Sequence, residues 1–168
     1  MFKLRKFIAL LGKQRVINIA RLAPIGDLPA PGTFGSIAGI FFYVLVLFYL
    51  PTIPLIIVSA ILAYIAINLC DLAEEYMHAK DPSDIVLDEF VAIPLCFIGI
   101  NWAEFGSYSF IIIFLGFALF RFFDILKPLG IKKVQNLKGG LGCVIDDTLA
   151  ALASCVCLHL IIYLYNYN

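Results

Sequence analysis

The chain has 168 residues, of which 62% are hydrophobic and 14% charged, with 12 basic and 12 acidic side chains in balance. Soluble domains are roughly 45–50% apolar and about 25% charged, so this composition, with a mean hydropathy of +0.99, excludes a water-soluble globule and a disordered chain. It indicates one domain, 1–168, of an integral membrane protein, and the zero net charge argues against a nucleic-acid partner.

Residues 1–22 open with MFKLRKFIALLGKQRVINIAR, a basic amphipathic run. Lys13 and Arg15 interrupt it too early for a signal peptide. The pattern predicts a helix lying on the membrane surface, drawn to anionic lipid. Residues 23–165 then supply the membrane bundle, with apolar segments at about 36–50, 54–70, 85–100, 108–123 and 147–165. Only the last nears the ~20 residues that span a bilayer unaided. Pro51-Thr52-Ile53-Pro54 forms a tight turn between the first two, and Pro94 kinks the third or makes it re-entrant. The expected fold is an all-α helical bundle of about four to five short transmembrane helices behind an amphipathic N-terminal helix.

If the chain starts in the cytoplasm and crosses at each segment, 1–35, 71–84 and 124–146 share the inner side. All 12 basic residues then lie inside or at an inner helix end, as the positive-inside rule demands. Every acid except Glu104 falls there too. An apolar body with its ionisable groups at one face predicts an interfacial active site rather than a transport path, which carries charge near the midplane. The five cysteines, Cys70, Cys96, Cys143, Cys155 and Cys157, include no CxxC pair and read as buried small hydrophobes. His78 and His159 stand apart from any ligand-like grouping.

Four polar clusters meet on the inner face. The first is Pro31-Gly32-Thr33-Phe34-Gly35-Ser36. Its glycines allow close backbone approach, and N–H groups at a helix start attract anions; the plainer reading is a turn with Thr33 or Ser36 as helix cap. The second, Asp81-Pro82-Ser83-Asp84-Ile85-Val86-Leu87-Asp88-Glu89, ends at an apolar helix. With a helix from Ser83, Asp84 and Asp88 stand at i and i+4, where like charges repel unless a cation intervenes. Either these acids flatter a helix dipole or they hold a hard cation such as Mg²⁺.

The third cluster, Arg121-Phe122-Phe123-Asp124-Ile125-Leu126-Lys127-Pro128, puts Arg121, Asp124 and Lys127 on one helical face ending at Pro128. Arg121 clamps a phosphate bidentately with Lys127 as a point charge, or it pairs internally with Asp124. The fourth, Gly139-Gly140-Leu141-Gly142-Cys143-Val144-Ile145-Asp146-Asp147, sets a glycine loop before two adjacent carboxylates. Acids for a metal and bases for phosphate on one membrane face point to metal-assisted phosphoryl chemistry on a lipid headgroup. No cysteine precedes an arginine in a short phosphate loop, and neither histidine stands beside an arginine. Cysteine- and histidine-dependent phosphatase chemistries are therefore excluded, and the Asp-Gly…Ala-Arg…Gly…Asp…Asp pattern of CDP-alcohol phosphotransferases is absent.

PGTFGS at 31–36, DPSDIVLDEF at 81–90, RFFDILKP at 121–128 and GGLGCVIDD at 139–147, in that order, make the chain resemble the phosphatidylglycerophosphatase A family of membrane lipid phosphatases. The resemblance implies Mg²⁺-dependent hydrolysis of phosphatidylglycerophosphate to phosphatidylglycerol and inorganic phosphate, and the partition of basic residues puts the site at the cytoplasmic face of the inner membrane. It implies a bundle around a central helix. By matching position it implies Asp88, Glu89, Asp146 and Asp147 as metal-binding acids, with Asp124, Asp81 and, lower in rank, Asp84 as further candidates. Arg121 and Lys127 would contact phosphate, with Thr33, Ser36, Gly139 and Gly140 around the substrate. Oligomeric state is not legible in the sequence.

Overall fold

In the computed structural model the chain is helical, with no strand among the described residues, which are 2–128, 130–134, 137 and 139–167. The helices are Phe2–Ala9 (α1), Lys13–Ala20 (α2), Pro31–Phe42 (α3), Thr52–Met77 (α4), Leu87–Ala92 (α5), Ser109–Leu126 (α6), Ile131–Val134 (α7) and Gly140–Tyr167 (α8). α3 runs on through a π-helical stretch, Tyr43–Leu47, and α5 through a 3-10 stretch, Ile93–Phe97. Thr52–Met77, Gly106–Leu126 and Gly140–Asn166 are long and apolar enough to cross a membrane; Pro31–Leu47 is shorter. Three segments rather than four to five thus have full spanning length. The side chains of Lys3, Lys132, Lys133 and Lys138, part of the topology count, lie outside the described residues.

The N-terminal surface helix proves to be two helices. Gly12, at φ +86°, breaks the run between α1 and α2. Ile8, Val16 and Ala20 turn inward and join a core with Ala66, Leu69 and Ala73 of α4. Lys6, Phe7, Leu10, Leu11, Lys13 and Arg15 remain exposed on the outer side. The amphipathic pattern was legible, and part of its apolar face is spent on protein.

The segment Leu87–Phe97 is the centre of the bundle. Leu87, Asp88 and Val91 through Phe97 are all buried, and α3, α4, α6 and α8 pack around them. Pro94 carries no N–H, so the α-helical ladder gives way to 3-10 turns there. The 85–100 run is therefore a short sheathed core piece, about 19 Å long at helical rises, rather than a bilayer-spanning helix of ~30 Å. Small residues let its neighbours come close, as packing inside a bilayer requires. A Cβ at Gly35 would stand 2.8 Å from Val86 Cβ, and one at Gly39 2.8 Å from the Phe90 carbonyl.

At the far end of the bundle Trp102 Nε1 donates to Tyr43 Oη at 2.9 Å, and Tyr43 stacks on Phe97 at 4.8 Å between centroids. His159 Nε2 lies 2.7 Å from the Ile98 carbonyl, which the end of the 3-10 stretch leaves without a helical partner. His159 is thus a packing residue, as its isolation suggested. The five cysteines are free thiols, four of them buried.

Candidate active site

The site is built where five elements end at one face. The N-terminus of α3 brings Pro31, Gly32 and Thr33, the 81–85 turn brings Asp81, and α5 brings Asp88 and Glu89. The C-terminal end of α6 brings Arg121 and Asp124, with Lys127 just beyond, and the second turn of α8 brings Cys143, Asp146 and Asp147. Together they line a cavity of about 280 Å³. Asp88, Asp124, Asp146 and Asp147 are all buried, from 1% to 9% exposed.

The cationic wall follows from helix periodicity. Residues 121 and 124 are one turn apart on α6, and Arg121 Nη1 meets Asp124 Oδ2 at 2.6 Å. Lys127, in left-handed conformation at φ +43°, ends the helix and turns its ammonium into the cavity. It pairs with Asp146 and stands 3.8 Å from Asp124 Oδ1. Burial alone would lower the Lys127 pKa, but the Asp146 carboxylate outweighs it and the net shift is upward. Arg121 Nη1 also reaches Ser36 Oγ at 3.4 Å and Glu89 Oε1 at 4.0 Å. Arg121 Nε is buried without a partner.

The acidic wall is only partly neutralised by these cations, through the long Arg121–Glu89 pair. Asp124 and Asp146 hold Arg121 and Lys127, which leaves Asp88, Glu89 and Asp147 together, with one oxygen from each within 4.8 Å of the others. Asp81, Asp88 and Cys143 form a second grouping of the same spread. Glu89 Oε2 is buried without a hydrogen-bond partner. Burial first, and then the Asp88 charge, push the Glu89 carboxyl well above its ordinary range; burial likewise raises Asp88. Three converging carboxylates, one with an orphaned oxygen, are expensive among protein atoms alone and suit a hard divalent cation.

Several sequence expectations are corrected by this geometry. α5 begins at Leu87, so Asp84 is not on a helix with Asp88. Val86 N–H donates to the Ala20 carbonyl at 3.1 Å, which holds the chain out of helical register. Asp84 faces Arg21 Nε at 3.0 Å instead and does not line the cavity. Gly139 and Gly140 do not line it either. A Cβ on Gly139 would run into the Asp71 carboxylate, and one on Gly140 into the backbone of Ile67 and Asp71, so both serve to seat α8 on α4. Neither Thr33 nor Ser36 caps α3, which starts at Pro31 after Ala30 in left-handed conformation. Thr33 lines the cavity, while Ser36 lies behind Arg121, donating to the Gly32 carbonyl at 2.7 Å.

Gly32 carries a role the sequence reading missed. Its Cα sits against the Glu89 carboxylate, and a Cβ there would also come within 3.4 Å of Arg121 Nη1. A side chain at this point would part the acidic wall from the cationic one. The glycine was visible in the sequence; its neighbours, 57 and 89 positions away, were not.

The profile of the family described as phosphatidylglycerophosphatase A matches residues 18–162. The chain belongs to the phosphatidylglycerophosphatase A family. A family member from Haemophilus influenzae, named phosphatidylglycerophosphatase A, is 40% identical over 136 residues, 80% of each chain. The Escherichia coli K12 protein of the same name is 32% identical over 144 residues, covering 83% of this chain and 76% of its own. A Bacteroides thetaiotaomicron protein, provisionally named a phosphatidylinositol-3-phosphatase, is 37% identical over 132 residues, 74% of this chain and 79% of its own. No solved structure gives a significant match.

Proposed function

We propose that this protein hydrolyses phosphatidylglycerophosphate to phosphatidylglycerol and inorganic phosphate in phosphatidylglycerol synthesis, with Mg²⁺ and at the cytoplasmic face of the inner membrane. One observation carries the reading: in a member of this family, a cationic pair and a converging trio of acids face one small cavity at the end of a membrane bundle. A cavity of about 280 Å³ has room for a phosphorylated headgroup but not for two acyl chains, which stay in the bilayer.

Hydrolysis transfers the phosphoryl group to water. The bond between phosphorus and the terminal glycerol oxygen breaks, and that oxygen leaves with a proton as the free hydroxyl of phosphatidylglycerol. Arg121 supports this with guanidinium donors beyond the one that meets Asp124, directed at phosphate oxygens. Asp124 keeps the guanidinium in place from one side and Ser36 from behind. Lys127 adds a point charge to the same wall, steadied by Asp146. Both stabilise charge developing on the transferred group. Asp88, Glu89 and Asp147 would hold Mg²⁺, with Asp81 at the rim. When bound there, Mg²⁺ supplies Lewis-acid polarisation of the phosphoryl group and offsets its charge.

The test is phosphate release by the purified protein from phosphatidylglycerophosphate, phosphatidic acid, lysophosphatidic acid and phosphatidylinositol 3-phosphate. The last is included because of the Bacteroides relative's name. Phosphatidylglycerophosphate is the expected preferred substrate, EDTA should abolish release, and Mg²⁺ should restore it better than Ca²⁺, which prefers more ligands in looser geometry. Full activity in EDTA would overturn the metal assignment, and preference for the phosphoinositide would overturn the substrate.

A further inference from the structure

The last turns of α4 carry Asp71, Glu74 and Glu75, at the end of a helix that stops at Met77. Acids are unfavourable there, because the helix C-terminus is the negative end of the dipole. Asp71 and Glu75 are also like charges at i and i+4, which repel. Glu74 has local partners in the Asp81 backbone N–H and the Lys80 charge, but nothing local explains Asp71 and Glu75. The opposing charge comes from α1: Arg5 Nε meets Asp71 Oδ2 at 2.7 Å, and Arg5 Nη2 pairs with Glu75.

Two sides of the cavity rest on this same turn. Glu74 Oε1 accepts the Asp81 backbone N–H at 3.1 Å. Asp81 sits in left-handed conformation, φ +49°, and its carboxylate belongs with Asp88 and Cys143 at the cavity. Three residues back, the Asp71 carboxylate lies against Gly139, and its backbone against Gly140, where α8 begins. The second turn of α8 then presents Asp146 and Asp147. Asp71 and Glu74 therefore prop opposite sides of one site, and Arg5 fixes the turn that holds them.

We propose that Arg5 is a positioning residue for this site, setting the separation of Asp81 from Asp146 and Asp147 through Asp71 and Glu75. The proposal rests on the metal-dependent phosphatase reading. Residues 1–17 precede the stretch matched to the family, so this function for α1 is additional to it. The pairs are partly solvated, with Arg5 37% and Glu75 61% exposed, and such pairs add little stability. Their consequence is geometric.

The experiment compares purified full-length wild type with Arg5→Ala, Arg5→Lys and, as control, Arg15→Ala on the exposed side of α2. Mn²⁺ binding by electron paramagnetic resonance is read without substrate, alongside kcat, KM and melting temperature. Arg5→Ala should weaken Mn²⁺ binding and lower kcat by about tenfold each, the scale of losing an outer support of a metal ligand, with KM for lipid unchanged. Arg5→Lys should fall between, because an ammonium keeps the charge but lacks the planar fork that meets Asp71 from Nε and Glu75 from Nη2. Arg15→Ala should match wild type. A folded Arg5→Ala protein with wild-type Mn²⁺ affinity and kcat but a lower melting temperature would overturn the proposal, leaving Arg5 as a fastening for α1. Should the alanine variant not purify, Arg5→Lys decides: wild-type Mn²⁺ affinity there refutes it. Wild type that binds Mn²⁺ but releases no phosphate would refute the reaction and leave the Arg5 comparison standing. Wild type that binds no Mn²⁺ refutes both.

Discussion

Replacing Arg121 by lysine separates the two roles that the arginine fills in this structure. Its guanidinium, with the side chain 18% exposed, pairs with Asp124 at 2.6 Å and keeps further donors for a ligand. A lysine ammonium can keep the Asp124 pair, so the buried carboxylate stays compensated and the fold should hold. What is lost is the planar fork. If the fork makes two phosphate contacts and lysine makes one, the loss is one charge-assisted hydrogen bond, about 1.5–3 kcal/mol. That corresponds to a fall in kcat/KM of roughly 10- to 150-fold. Alanine is the less informative change. It leaves Asp124 facing only Lys127 at 3.8 Å, and Lys127 is already held by Asp146. Breaking a buried pair costs about 3–5 kcal/mol, partly offset here by Lys127, so Arg121→Ala should lower both melting temperature and turnover. The assay is phosphate release from phosphatidylglycerophosphate in detergent micelles, with circular dichroism and a melting curve on the same preparation. A normally folded Arg121→Lys protein with near-native kcat/KM would refute the phosphate contact.

Asp88→Asn and Asp147→Asn should each lower kcat by about 10²-fold or more, as loss of one strong electrostatic contact does, while Glu104→Gln at the other end of the bundle changes little. Without metal the same two variants should melt higher than wild type, because each removes one of three crowded charges; a lower metal-free melting temperature would mean the acids are paired within the protein. Asp84→Asn acts on the Arg21 pair and should leave the half-saturating Mg²⁺ concentration unchanged, whereas a rise matching that of Asp88→Asn would return Asp84 to the metal set. In a background without native cysteines, a cysteine at position 82 should resist an impermeant thiol reagent in intact cells and one at 104 should react; equal labelling would overturn the assigned sidedness.

What could be read in advance depended on how near in sequence the partners lie. The Arg121, Asp124 and Lys127 face was legible because helix periodicity alone brings those residues together. The apolar runs gave the helical class, since a bilayer leaves the backbone no other way to satisfy itself over such lengths. Asp84 was misplaced because its conformation is set by the Val86–Ala20 hydrogen bond, 66 residues apart. Gly139 and Gly140 looked like a ligand loop because glycine permits any close approach, and only the folded chain shows that the approaching body is α4. Arg5 was counted as surface charge for lipid, with nothing local to tie it to Asp71.

The sheathing of the central segment has a mechanical side. Leu87, Asp88 and Val91 through Phe97 are screened from the bilayer by surrounding helices. The cationic wall is mounted differently: on α6, Phe122, Ile125 and Leu126 beside Arg121 and Lys127 are 53% to 67% exposed. A helix whose apolar length exceeds the local hydrocarbon thickness tilts to fit it. Thickening or thinning the membrane therefore loads α6 directly and the core segment only through its neighbours. Asp146 and Asp147 ride on α8, likewise of spanning length, so the bilayer bears directly on the helices that carry Arg121, Asp124, Asp146 and Asp147 and only through neighbours on Asp88 and Glu89.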